Sequence, residues 1–183
     1  MASATIRKAA GIGLTDAAAL LFIYLVPTLS HLTAVPFYLI DPMRLAVLGA
    51  LLATRNWKNA LVLAVTLPLF SSALGMHPVF PKCVLIAVEL AANVLLFVWL
   101  ARVFGRDANG RGVHTVAVNG LRVGAAAFVS IVLSKVLYYA LKALVLSAGL
   151  LQMELISTGL WIQFVVAIII SVAFGFLWRH RNR

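Results

Sequence analysis

Residues 82–104 read KCVLIAVELAANVLLFVWLARVF. Between Lys82 and Arg102 a single charged side chain, Glu89, interrupts an otherwise apolar run. An α-helix crosses the hydrocarbon core of a bilayer with roughly 20 apolar residues, so this stretch predicts a membrane span. The whole chain reads the same way. Of its 183 residues 63% are hydrophobic and 11% charged, with only five acidic side chains, and the mean hydropathy is +1.06. A soluble domain carries about a quarter of its residues as charges. This chain has too little polar surface to face water, and the expected fold class is an all-α integral membrane protein.

Working outward from residues 82–104, the apolar runs predict six transmembrane helices: about Gly11 to Ser30, Pro42 to Thr54, Asn59 to Leu74, Lys82 to Phe104, Val116 to Ser147 and Glu154 to Trp178. Pro42 suits the first turn of a helix, where its missing N–H costs nothing. The second and third runs are short for a full crossing and are expected to tilt or to stop below one surface, leaving a depression roofed by loops. Arg7 and Lys8 ahead of an apolar run resemble a signal peptide. Asp16 interrupts that run, and no small-x-small cleavage site follows before Pro27, so a retained first helix is expected. Long polar linkers and internal repeats are missing from the sequence, which predicts one domain over residues 1–183.

The distribution of Lys and Arg orients the helices. One set of helix ends carries Arg7, Lys8, Arg55, Lys58, Arg102, Arg106, Arg111, Arg179, Arg181 and Arg183; the other carries Asp41 with Arg44, Lys82 and Glu154. The positive-inside rule then places both termini in the cytoplasm and the loops 30–41 and 75–81 outside. The net charge of +10 follows this topology and does not gather on a phosphate-binding face, so nucleic acid is not an expected partner. No phosphate-binding glycine loop with its Lys-Ser/Thr is present, which excludes ATP hydrolysis by that chemistry.

Cys83 is the single cysteine, which excludes an internal disulfide and any multi-cysteine metal site. It follows the loop Gly75-Met76-His77-Pro78-Val79-Phe80-Pro81-Lys82 and is expected in the first turn of the fourth helix. Unpaired amides and the positive end of the helix dipole favour an anion there, Lys82 adds charge, and a thiolate is a soft metal ligand. A lone cysteine is also commonly a small buried hydrophobe. His31, His77 and Met76 are further donors on the same side, in a spacing that matches no standard zinc pattern. His114 and His180 fall on the opposite side and read as structural.

Ionisable residues inside spans are candidates for function. Asn93 lies one turn beyond Glu89 on the same helix face, and Asp16 or Lys135 could pair with Glu89 or with each other. Lys135, Tyr138, Tyr139 and Lys142 form an amphipathic stripe, readable as a ligand-facing surface or as a headgroup anchor of tyrosines and snorkelling lysines. Ala9, Gly13 and Ala17 place small residues four apart on the first helix, a spacing that permits close helix contact.

These marks, taken together, resemble the substrate-binding S-components of energy-coupling-factor vitamin transporters. The resemblance covers nearly the whole length and is strongest from Pro42 to Asn93: Asp-Pro-Met-Arg-Leu-Ala at 41–46, Pro68 with Ser71 and Ser72, Gly75-Met76-His77-Pro78, and Glu89-Leu90. The lone cysteine at the start of the fourth helix resembles the solitary, cobalamin-associated S-components of the BtuM type. That resemblance implies an S-component-like bundle in the bacterial cytoplasmic membrane, with Cys83 as the axial ligand of cobalt and His31 near the corrin. It further implies uptake of vitamin B12 (cobalamin), held base-off, with removal of the upper cyanide from cyanocobalamin. Thr33, Tyr38, Asp41, Arg44 and Ser71 are candidate hydrogen-bond partners for the propionamide edges. The partners implied are cobalamin, membrane lipid and an energy-coupling ATPase module that is not obligatory.

Two other readings of the same residues stand beside it. One is an S-component for a smaller vitamin or precursor, served by a separate ATPase module, in which Cys83 is incidental. The other is a small membrane haem or redox protein with His31 and His77 as axial ligands. An intramembrane hydrolase is not indicated, since no serine or aspartate pair forms a recognisable catalytic arrangement.

Overall fold

The computed structural model describes residues 2–33, 37–75, 80–104, 120–149, 155–156 and 159–181. Among them the chain is all-helical, with α1 at Ala2–Thr33, a 3₁₀ helix at Phe37–Ile40, α2 at Pro42–Thr54, α3 at Trp57–Gly75, α4 at Phe80–Phe104, α5 at Gly120–Ser147 and α6 at Leu160–His180. Five of these helices are long and apolar enough to cross a membrane; α2, at 13 residues, is not. The third apolar run is longer than its sequence pattern suggests. Its helix starts at Trp57 and reaches Gly75, 19 residues, or about 28 Å at 1.5 Å per residue, which is enough to cross.

The chain divides into two compact units, Met1–Ala87 and Val88–Arg183. In the first, α1, α2 and α3 pack on one another, and the 3₁₀ helix touches α1 and α2. Buried residues recur at helical spacing: Ala19, Ile23 and Val26 on α1, and Ala60, Leu63, Ala64 and Leu67 on α3. Each row makes an apolar stripe one helix face wide. Between α1 and α3, the side-chain amide of Asn59 donates to Asp16 Oδ1 at 2.7 Å. This contact assigns Asp16, whose partner the sequence left open, and it is an interhelical clamp.

In the second unit α5 and α6 pack closely along each other. Phe97 of α4 meets Phe174 of α6 edge-on, with ring centroids 5.3 Å apart, a favoured geometry for aromatic pairs. On the outer faces of both units, large apolar side chains such as Leu14, Leu21, Leu121, Trp161 and Phe176 are exposed. In water they would be a liability. In hydrocarbon they are the expected surface, and the exposed apolar helices fit a multi-pass membrane protein.

Candidate functional site

Of the residues nominated for the corrinoid, those that the structure describes fall in the unit Met1–Ala87. Cys83 stands in the first turn of α4, as its position after Pro81 predicts, and has no exposed surface. His31 is in the last turn of α1, because that helix continues through Thr33 instead of ending before the histidine. Tyr38 is in the 3₁₀ helix; of His31 and Tyr38 only the backbone is described. Met76 and His77 lie outside the described residues, as do His114 and Glu154. Thr33 spends its hydroxyl locally, donating to the Leu29 carbonyl at 2.7 Å. Ser71 is half-buried on α3.

Asp41 and Arg44 form the best-defined part of this set. Asp41 takes the left-handed conformation (φ 53°, ψ 63°) immediately before Pro42 opens α2. Aspartate is among the few non-glycine residues that adopt it readily. The turn brings Asp41 Oδ2 to 3.3 Å from Arg44 Nε, with Arg44 2% exposed and Asp41 26% exposed. A guanidinium almost wholly removed from solvent is the feature that sequence reading missed: Arg44, nominated as a hydrogen-bond partner for a ligand's amide edges, is one of the largest buried side chains. Buried charges need partners; Asp41 supplies an ion-pair contact, but Arg44 Nε receives no hydrogen-bond geometry from it.

An apolar groove of about 280 Å³ runs between α1 and α2, lined by Ala18, Ala19 and Phe22 on one side and Leu45, Gly49 and Ala50 on the other. None of the nominated residues lines it. Its volume lies at the lower edge of the range for sites that take drug-sized ligands, about 300–1,000 Å³. Among the described residues no group of three or more His, Cys, Asp or Glu side chains converges to hold a metal ion.

A second polar cluster lies in the unit Val88–Arg183. Lys135 Nζ is 2.9 Å from Glu89 Oε1, which settles Glu89's partner as the α5 lysine. One turn along α4, Asn93 Nδ2 donates to Ser130 Oγ at 3.1 Å. The stripe read as Lys135, Tyr138, Tyr139 and Lys142 proves to be the edge of a longer buried line, Ser130, Ser134, Tyr138 and Lys142, four residues apart on α5. Lys142 Nζ donates to the Leu155 carbonyl at 2.8 Å, and Gln163 Nε2 of α6 donates to the Tyr139 hydroxyl at 2.5 Å. Tyr138 has the Lys135 ammonium 5.5 Å from its ring centroid and that of Lys142 at 6.0 Å, within cation–π range. The serines carried no signal in composition, but their four-residue register with Tyr138 and Lys142 was visible in the sequence.

Comparison with known proteins adds no guide: no family model, curated protein or solved structure matches this chain.

Proposed function

We propose that this chain is a cobalamin uptake protein of the S-component kind. In this reading it lies in the bacterial cytoplasmic membrane with both termini inside, and holds the corrinoid base-off through a bond from Cys83 to cobalt. The observation that carries the reading is Cys83 itself. The chain's single thiol stands in the first turn of α4, where helix geometry leaves backbone amides without intrahelical acceptors. Sulfur is a strong donor to cobalt, and it must outcompete the vitamin's own benzimidazole for the lower face.

The resulting chemistry is a ligand exchange. Sulfur donation from below weakens the bond to the upper ligand. Cyanide leaves with the electron pair of its bond and is protonated by solvent, and cobalt keeps its oxidation state. The Asp41–Arg44 pair, Ser71, Tyr38 and Thr33 are the groups assigned to the amide edges of the macrocycle. Met76, His77 and His31 flank them in sequence. Since the sequence has no phosphate-binding glycine loop, uptake draws on a separate ATPase module or proceeds without one.

One observation favours a second reading. Cys83 has no exposed surface, so a corrinoid must displace whatever covers the sulfur before bonding to it. A smaller vitamin, bound elsewhere and carried with a separate ATPase module, has no such requirement. Purified protein titrated with cobalamin tests both. The cobalamin reading expects a pink to orange complex whose absorption spectrum changes in Cys83→Ala and Cys83→Ser, with decyanation lost. An unchanged spectrum and affinity in both variants removes Cys83 as ligand. Failure to bind any corrinoid, with binding of a colourless vitamin, selects the second reading, and a Soret band selects haem.

A further inference from the structure

Two contacts set the register of α4 against α5. Asn93 pairs with Ser130 at 3.1 Å and Glu89 pairs with Lys135 at 2.9 Å. One turn back along α4 corresponds to one turn forward along α5, so the helices run antiparallel and Ser134 stands level with Glu89. Glu89, Asn93, Ser130 and Ser134 are all buried. They sit near the middle of helices long enough to cross a membrane, where a polar side chain is costly and calls for a functional account.

A proton count decides what these four side chains can receive. Ser130 Oγ donates to the Ala127 carbonyl at 2.8 Å and Ser134 Oγ donates to the Ile131 carbonyl at 2.9 Å. A hydroxyl has one proton, so both oxygens offer only lone pairs to their surroundings. With Ser130's proton committed, the Asn93 amide must present its NH₂ to Ser130, and that fixes Asn93 Oδ1 as an acceptor. This oxygen is buried and has no hydrogen-bond partner. Glu89, one turn away, contributes a carboxylate. The cluster is therefore built of hard oxygen acceptors and lacks a donor for Asn93 Oδ1.

The cation now at the carboxylate is the tethered ammonium of Lys135. Its side chain is 27% exposed, and its Nζ also lies 5.5 Å from the Tyr138 ring centroid. In this position the ammonium is already within cation–π range of the Tyr138 ring, which could retain it if the carboxylate were taken. One carboxylate balances one positive charge, and a divalent ion beside Lys135 would leave excess charge in a low-dielectric interior. Oxygen ligands of this kind suit hard cations.

We propose that Glu89, Asn93, Ser130 and Ser134 form an intramembrane binding site for a small monovalent cation, of which sodium is the test ion, and that Lys135 competes with it by occupying Glu89. Ion binding releases Lys135 toward Tyr138, which makes the α4–α5 contact dependent on the ion. The site is separate from Cys83 and does not rest on the cobalamin reading.

The test is thermal unfolding of the purified protein in detergent, without cobalamin, with sodium chloride titrated against choline chloride at constant ionic strength. A saturable rise in Tm specific to sodium is expected. Ser134→Ala, which removes one oxygen and little volume, should weaken the midpoint by about tenfold, and Asn93→Ala should abolish the response. Lys135→Gln should tighten it by about tenfold, since the tethered competitor is gone. Radioactive sodium binding to the same samples provides a readout independent of folding stability. The proposal is overturned by identical Tm values in the two salts together with no sodium bound. It is equally overturned if Ser134→Ala and Asn93→Ala respond as the wild type does; a lone bridging water at Asn93 would give the first of these results.

Discussion

Gly120 of α5 and Gly175 of α6 meet backbone to backbone: a Cβ added to Gly120 would lie 2.5 Å from the Gly175 carbonyl oxygen and 2.9 Å from Arg179 Cβ. One turn along α5, a Cβ on Gly124 would come within 3.1 Å of the Ser171 carbonyl oxygen. Small residues let helix backbones approach in a membrane, where packing and not water exclusion drives association. Nothing but hydrogen fits at this crossing.

Gly175→Ala and Gly120→Ala should therefore each destabilise the protein by about 1–3 kcal/mol, the usual cost of overpacking a filled contact. Gly49, also helical, has no neighbour within 4 Å of an added Cβ. Gly49→Ala should be neutral or stabilise by up to about 1 kcal/mol through helix propensity. Unfolding midpoints in mixed detergent compare the three. Equal effects at Gly49 and Gly175 would mean that the crossing does not govern stability.

Cys83 has no exposed surface, and its labelling should be slow. A water-soluble maleimide added to folded protein is expected to react with Cys83 at least about tenfold more slowly than after denaturation, because attack requires opening of the first turn of α4. If Cys83 binds cobalt, saturating cobalamin slows it further. Rapid labelling of the folded protein would contradict the burial on which the second reading leans.

The Asp16–Asn59 clamp joins α1 to α3. Each single change, Asp16→Ala or Asn59→Ala, should reduce stability, and a double-mutant cycle should return a coupling of about 0.6–2 kcal/mol, the range found for interhelical hydrogen bonds in membranes. A coupling indistinguishable from zero would show that the two side chains act separately.

Asp41 holds both a left-handed backbone and the carboxylate beside Arg44. Asp41→Asn keeps a residue that tolerates the conformation while removing the charge, so its effect isolates the ion pair. Asp41→Val adds backbone strain of about 1–2 kcal/mol on top. Because Arg44 is almost fully buried, losing its carboxylate is expected to cost about 3 kcal/mol, and Arg44→Met together with Asp41→Asn should recover most of that. Similar stabilities for Asp41→Asn and wild type would show that Arg44 is satisfied without Asp41.

Much of the helical layout was readable along the chain. The run at 42–54 coincides with α2, and the fourth run ends at Phe104 as α4 does, since Pro42 and the polar residues after Phe104 punctuate the pattern locally. His31 was misplaced because the helix passes through it: the polar stretch Thr28-Leu29-Ser30-His31 reads like a loop, yet Ser, Thr and His are tolerated in a helix end. The burial of Arg44, nominated as a ligand contact, and of Lys142, readable as ligand-facing or as a headgroup anchor, was not legible because Arg and Lys are seldom fully buried without partners. Their partners, Asp41 and the Leu155 carbonyl, become apparent only in the fold. The pair Gly120 and Gly124 carried a four-residue spacing equal in form to that of Ala9, Gly13 and Ala17. Only the first lies in a tight crossing; the second set is exposed.

Membrane character, helix number and approximate helix limits belong to the sequence alone, because each depends on the length and composition of a continuous run, and the cost of exposing backbone to hydrocarbon forces that run into a helix. The pairing of Glu89 with Lys135, of Asp16 with Asn59, and of Gly120 with Gly175 belongs to the tertiary structure. Spacing along one helix states which residues share a face, and only the packed arrangement decides which face each one meets.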